Sequence, residues 1–323
     1  MGNLSTLLQE PRRLGRTELR VSALGFGGAP LGGLYEPLEM AAAERAVALA
    51  LELGIHFFDT SPYYGDGLSE LRLGELLAGR RSKVVLQTKC GRYGRDEFDF
   101  SAARVRASCE MSLRRLRTDY VDILLAHDIE FGRREQILEE TLPALIRLRE
   151  EGKARAIGVS GYPLEVLAEV VESAEIDVVL SYCHFNLMIS QLDERLLPLA
   201  QARQVGLLNA SPLHMGVLTR LGPPVWHPAP KAVLAAGQRL LDLAESRGYD
   251  LPMLALRHCL DHGGIASTLI GMTRPEQVAA NVAAASMAIV PEIRAEMDAI
   301  VDPVRNLTWE PEGQVARWRQ NQD

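Results

Sequence analysis

Apolar runs of strand length alternate with amphipathic helical stretches from one end of this chain to the other, which confines it to parallel βαβ architecture. A parallel strand pair cannot be closed by a tight turn, so each run needs a crossover of about a dozen residues or more. Candidate strands fall at 23–28, 56–60, 84–90, 121–127, 154–160, 178–183, 206–211 and 267–271. Helical patterns fall at 40–53, 68–78, 102–116, 136–149, 164–171, 192–203, 233–246, 254–260 and 275–286, with apolar residues recurring near i, i+3, i+4 and i+7. Eight alternations without a Gly/Ser linker or a shift in composition favour one closed (β/α)8 TIM barrel over two open sheets. The whole chain, 1–323, is therefore expected to be a single domain. Ahead of the first strand, 13–21 reads as a β-hairpin turning near Gly15, placed to plug the barrel floor. Residues 213–230, rich in Gly and Pro, form the longest irregular insertion, and additional C-terminal helices follow Pro291, with Trp309 and Trp318 as apolar anchors.

Composition excludes several classes of function. Lys and Arg number 35 against 42 Asp and Glu, so the chain carries a net −7 and nucleic acid is not an expected partner. With 47% apolar and 24% charged residues it has the balance of a soluble globular enzyme. No apolar run approaches the roughly 18 residues of a membrane span, and the opening MGNLSTLLQEPRR lacks the basic-then-apolar order of a secretory signal. A cytoplasmic protein without a membrane partner is expected. Cys90, Cys109, Cys183 and Cys259 form no CxxC pair, and the histidines show no HxH or HExxH spacing, so neither a disulfide framework nor a metal is expected. The segment from Gly25 to Pro30 lacks the GxGxxG spacing of a Rossmann dinucleotide site.

In a (β/α)8 barrel the chemistry sits at the C-terminal ends of the strands. Asp59 closes the second candidate strand, Tyr64 follows in the next loop, Lys89 closes the third strand and His127 the fourth. Taken singly, each has a structural explanation as a cap, a snorkelling cation or a packed ring. Together they form an acid/base device. A phenol with a pKa near ~10 is a poor base at neutral pH unless a cation stabilises its phenolate, and Lys89 can supply that cation. Asp59 would keep Lys89 protonated and oriented. His127, across the reacting oxygen, can donate a hydrogen bond to a carbonyl or orient an alcohol.

Asp59, Tyr64, Lys89 and His127 in these contexts resemble the catalytic tetrad of the aldo-keto reductase superfamily. The resemblance spans nearly the whole chain, including Phe58 to Gly65, Asp119 to His127 and Gly158-Val159-Ser160. Three further segments, His127 to Gly132, Ser181 to His184 and Ala210 to Gly216, resemble its aldose 1-dehydrogenase branch. The resemblance implies hydride exchange with NAD, or NADP, bound across the barrel mouth. Ser160 matches a position used for the cofactor carboxamide and Asn281 one used for the adenine, while Ser211 and Leu213 would line the diphosphate. Departures occur where many members have Asn at Gly161, Gln at Ser181 and a stacking aromatic at Ala210. Beside Thr273, Gly271 and Gln277 stand where NADP-dependent members commonly carry Lys and Arg. Loss of those cations favours NAD; Arg274 lies close enough in sequence to replace them in binding the phosphate, but is read first as a solvated residue at the helix start. The resemblance also implies an aldose or aldehyde substrate, of the L-galactose or L-fucose type or an aldehyde such as pyridoxal, in a monomer or weak homodimer. Tyr35, Tyr63, Tyr93, Trp226 and His227, in loops expected at that face, are the residues to pack on it. Two readings from other classes stay open, a non-catalytic nicotinamide-binding module and a lyase or isomerase using Lys89 as a Schiff base.

Overall fold

A computed structural model describes residues 6–33, 38–225, 227–309, 315 and 318. The hairpin is formed by β1 (Arg12–Arg13) and β2 (Arg20–Val21), paired antiparallel. Eight parallel strands follow: β3 (Leu24–Gly27), β4 (Phe57–Asp59), β5 (Val85–Cys90), β6 (Val121–Ala126), β7 (Ala154–Gly161), β8 (Val178–Tyr182), β9 (Gly206–Ala210) and β10 (Ser267–Gly271). They close in chain order, β10 pairing back onto β3, so the expected TIM barrel forms.

Strand alternation divides the apolar residues into two layers. Phe57, Ile123, Leu125, Ala156, Val178, Leu180, Leu208 and Leu269 fill the barrel interior. Phe26, Phe58, Leu86, Leu124, Ile157 and Val179 face outward and pack with the helices. Leu14, Leu19 and Val21 join the interior cluster, so the hairpin closes the floor. The turn needs Gly15, whose φ is +55° and whose absent Cβ would stand 2.3 Å from Gly206 N.

The helical stretches match expectation except where proline interferes. The single helix expected over 192–203 is two, Gln191–Arg195 and Leu197–Ala202, since Pro198 can offer no N–H to continue the first. Ahead of Pro143 the helix widens into a π turn over Ile137–Thr141 before resuming as Leu142–Glu150. The expected strands also overran their ladders: Cys183 and Ser211 leave β8 and β9 in the left-handed region, at φ 61° and 62°. Residues of the 213–230 insertion pack with Lys231–Ser246 and Pro291–Val301 into a second apolar cluster. Trp318 is buried, and its indole N–H donates to Glu169 at 2.8 Å, docking the C-terminal segment on the helix Leu164–Ser173.

Candidate active site

The C-terminal rim of the barrel brings Asp59, Tyr64, Lys89 and His127 together. Alternation along β4 and β5 points Asp59 and Lys89 inward, above Phe57, Val85 and Gln87. The Lys89 ammonium donates to Asp59 Oδ1 at 2.6 Å, to the Thr60 carbonyl at 2.9 Å and to the Tyr64 hydroxyl oxygen at 3.2 Å. Three acceptors meet three N–H groups, and with Lys89 only 1% exposed no water is needed to satisfy it. Gln87 Nε2 donates to the same Asp59 oxygen at 2.6 Å, which fixes the carboxylate from below.

His127 stands across from this chain of contacts, its ring edge-on to Tyr64 with centroids 5.9 Å apart. Burial pulls its imidazole down to about 3; Asp128 opposes the shift and Lys89 and Arg92 add to it. The ring is therefore neutral at neutral pH, and its two neighbours set its tautomer. Asp128 Oδ2, an acceptor, lies 3.7 Å from Nε2, while Ser61 Oγ, which accepts the Tyr63 N–H at 3.1 Å, lies 3.0 Å from Nδ1 with its own proton to donate. The ring proton is thereby assigned to Nε2, leaving a neutral N–H donor at the mouth.

By the same alternation, the rim positions opposite the tetrad are Ser160, Tyr182, Ala210, Gly271 and Gly27. Ser160 is buried and donates to the Ala126 carbonyl at 3.4 Å. Gly161 and Ser181, read from the sequence as cofactor contacts, pair with each other but face the helical layer. A Cβ on Gly161 would meet Glu130 Oε2 at 2.5 Å and Leu167 at 3.4 Å, both outside the barrel. Ser181 is fully buried and its hydroxyl has no partner among the described residues. Tyr182, one residue on, points into the mouth in its place.

The expected substrate residues separate. Tyr63 lies at the mouth, edge-on to His127 at 6.0 Å between centroids, with the Arg92 guanidinium 3.9 Å above its ring. His227 stands farther out, 5.0 Å from Trp309 and 5.8 Å from His214 between ring centroids. Tyr93 contradicts the expectation. Its hydroxyl accepts the Gly91 N–H at 3.1 Å, Arg104 covers its ring, and it lines a side cavity of ≈ 200 Å³ with Asp66, Glu97 and Ser108. A tight turn at Gly91, φ +95°, sends that ring outward toward the helix Ala102–Leu116. Tyr35 and Trp226 lie outside the described residues.

Several rim residues escaped the sequence reading. Arg92 pairs with Asp128 at 2.5 Å, and Asp128 Oδ2 lies 3.7 Å from His127 Nε2. Asp128 has φ 54°, a left-handed conformation of the kind that collects at functional sites. Tyr162 packs against Tyr182 at 5.4 Å, and Trp309 stacks on Tyr162 at 5.2 Å, which extends an aromatic wall from the rim outward. Burial pushes the Glu130 carboxyl well up, with Asp128 adding to the shift, while its Oε1 accepts the Tyr162 N–H. Counting inward positions by two from Val178 finds Tyr182; no spacing rule finds the loop residues Arg92 and Asp128.

The loops after β9 and β10 bring the remaining cofactor candidates to one side of the mouth. Ser211 and half-buried Leu213 follow β9. Gln277 Oε1 accepts the N–H groups of Thr273 and Arg274 at 2.8 and 3.1 Å, so its side chain caps the helix Pro275–Ser286. Asn281 is half-buried one turn along, its amide 3.9 Å from Met272 Sδ. Gly, Ala and Ser at four of the rim positions leave room for a flat ring, and the neutral His127 donor faces that room. These residues fit a nicotinamide ring lying over the rim.

A closed parallel barrel with a carboxylate, an ammonium, a phenol and a neutral imidazole at its carboxyl rim defines an enzyme that exchanges a proton with an alcohol or carbonyl oxygen. Residues 23–302 match the Aldo/keto reductase family, and the chain belongs to it. It is an oxidoreductase that works with a nicotinamide cofactor. It is 47% identical over 310 residues to L-galactose dehydrogenase of Arabidopsis thaliana, covering 93% of this chain and 97% of that one. It is 31% identical over 314 residues to pyridoxal 4-dehydrogenase of Microbacterium luteolum, covering 84% and 92%. An aldo-keto reductase from Bacillus halodurans, solved in its holo form, superposes with a TM-score of 0.78 at 28% identity, covering 94% and 98%.

Proposed function

We propose that this protein is an NAD-dependent aldose 1-dehydrogenase that oxidises the C1 hydroxyl of a cyclic sugar of the L-galactose or L-fucose type to the lactone. The observation that carries the reading is the Lys89 ammonium, held by Asp59 and the Thr60 carbonyl with its third N–H on the Tyr64 oxygen. Tyr64 is the proton acceptor: as the C1 hydroxyl ionises, its proton moves to the Tyr64 oxygen, whose negative charge Lys89 stabilises. His127 Nε2–H donates to the same substrate oxygen and orients it, and as a neutral donor it does not compete for the proton. A bound nicotinamide supplies the two-electron acceptor for the hydride that leaves C1. Ser160, Ser211, Leu213, Thr273 and Asn281 are the residues proposed to hold the dinucleotide, and Tyr63 and His227 to shape the sugar pocket.

Support for NAD over NADP comes from the loop after β10. Gly271 has no side chain, and the Gln277 side chain is engaged in capping, so neither position offers a cation to a 2′-phosphate. The 47% identity to L-galactose dehydrogenase supports the aldose as substrate. The test is an absorbance assay of a panel of free aldoses, with pyridoxal included, run with NAD and NADP side by side. Reduction of NAD by an L-aldose, with release of the lactone, is expected. Turnover confined to pyridoxal, or no turnover with any aldose, contradicts the reading.

A further inference from the structure

We infer that Asp128, held in place by Arg92, is a substrate-binding residue that accepts a hydrogen bond from the hydroxyl on the carbon next to the one oxidised. The inference rests on the proposed oxidation at C1 and deepens it, because it restricts the substrate to sugars with a free hydroxyl at C2. Asp128 Oδ2 lies 3.7 Å from His127 Nε2, the atom that faces the reacting oxygen. Oxygens on adjacent carbons of a sugar ring are close neighbours, so a substrate whose O1 meets His127 brings O2 to the Asp128 carboxylate. The Asp128 side chain is 4% exposed and accepts from Arg92 through Oδ2, while Oδ1 takes no hydrogen bond among the described residues and is not one of their buried, unpartnered atoms. A buried carboxylate accepts hydrogen bonds and donates none, which suits a hydroxyl and not a second carbonyl.

The surroundings hold that carboxylate still. Arg92 Nη1 donates to Asp128 Oδ2 at 2.5 Å, and its Nε and Nη2 donate to the Gly94 and Arg95 carbonyls at 3.4 Å. The guanidinium lies 3.9 Å over Tyr63 and 5.2 Å over Phe98, so its plane is fixed from both rings. On the backbone side, φ of 54° at Asp128 turns the side chain beside His127 instead of along the strand. The second oxygen is left open for a hydrogen bond that a sugar hydroxyl can donate.

The test compares kcat/KM for L-galactose and for its 2-deoxy counterpart in the wild-type protein and in Asp128→Asn. Asn tolerates the left-handed backbone, so the variant keeps the loop, which the melting temperature checks. Arg92→Lys, which retains a cation near Asp128, is the milder companion. A hydrogen bond to a charged group predicts that the wild type prefers the 2-hydroxy sugar by on the order of 10- to 100-fold. In Asp128→Asn, the fall for L-galactose should exceed the fall for the 2-deoxy sugar by about 10-fold or more. Calorimetric binding of the two corresponding lactones should show the same loss of preference without turnover. Equal falls for the two sugars, or a wild type indifferent to the 2-hydroxyl, overturn the inference while leaving C1 oxidation standing. A protein that oxidises no aldose overturns both.

Discussion

The Ser61 hydroxyl and the Asp128 carboxylate together decide which nitrogen of His127 carries the proton. With an acceptor 3.7 Å from Nε2 the ring proton sits there, Ser61 donates to Nδ1, and Nε2–H is left for the substrate. Ser61→Ala should release that constraint and let the other tautomer form. Loss of a hydrogen bond of about 1–1.5 kcal/mol predicts a fall in kcat on the order of 10-fold with a smaller change in KM. The 15N shifts of the His127 ring should move at the same time; unchanged shifts with unchanged kcat would remove Ser61 from its positioning role. At this scale the sequence was informative where a polar residue ends an apolar run, as with Asp59, Lys89 and His127. It marked Asp128 only as part of the segment after His127 and gave it no role, since its position depends on one left-handed φ, and it misdirected Tyr93, because a turn at Gly91 reverses the ring. Single backbone angles in loops are set by tertiary contacts and leave no periodic trace.

Among the elements, the eight strands were legible because each is a short apolar run bounded by polar residues, and the barrel's ladders start or stop within a residue or two of those runs. Their facing was less so. The interior positions of β7 and β8 follow from a count by two, and that count turns Gly161 and Ser181 toward the helices and Ser160 and Tyr182 toward the mouth. Gly158, in the same strand, shows how tightly the register is held. A Cβ there would stand 1.8 Å from the Val178 carbonyl oxygen and 3.2 Å from a Leu125 methyl, so β7 and β8 would have to separate. Gly158→Ala should cost about 3 kcal/mol of stability, read as a lower urea midpoint with an unchanged slope. A cost under about 0.5 kcal/mol, within the ordinary scatter of surface substitutions, would mean that the strands have slack the geometry does not show.

For the molecule as a whole, the number of buried histidines makes stability depend on pH. Burial pulls His127 and His214 to about 3 and His184 and His258 to about 4. Each is neutral in the fold but takes a proton in the unfolded chain below about 6.5, so each lowers stability as pH falls from there toward its folded value. Glu130 and Glu70 act in the opposite sense, because burial raises their folded pKa values and the fold then holds protons the unfolded chain releases. The balance predicts that the unfolded chain binds between about one and four more protons near pH 5–6, or roughly 1.5–5 kcal/mol of stability lost per pH unit. Urea melts at pH 7, 6 and 5 measure it; a midpoint that holds or rises on acidification contradicts the burial of these rings. Closure of the barrel was legible from the alternation alone, whereas the burial of these rings was not, since nothing in the spacing of seven scattered histidines shows which fold inward.

Catalysis turns on the Tyr64 oxygen as the group that takes the substrate proton. Tyr64→Phe keeps the ring and removes that oxygen, so the measurement is kcat for L-galactose beside the dissociation constant of NAD in the same variant. Turnover should fall by at least about 100-fold, the low end of what a positioned acid or base contributes, with NAD affinity within a few-fold of wild type. Near-normal turnover in Tyr64→Phe would contradict it.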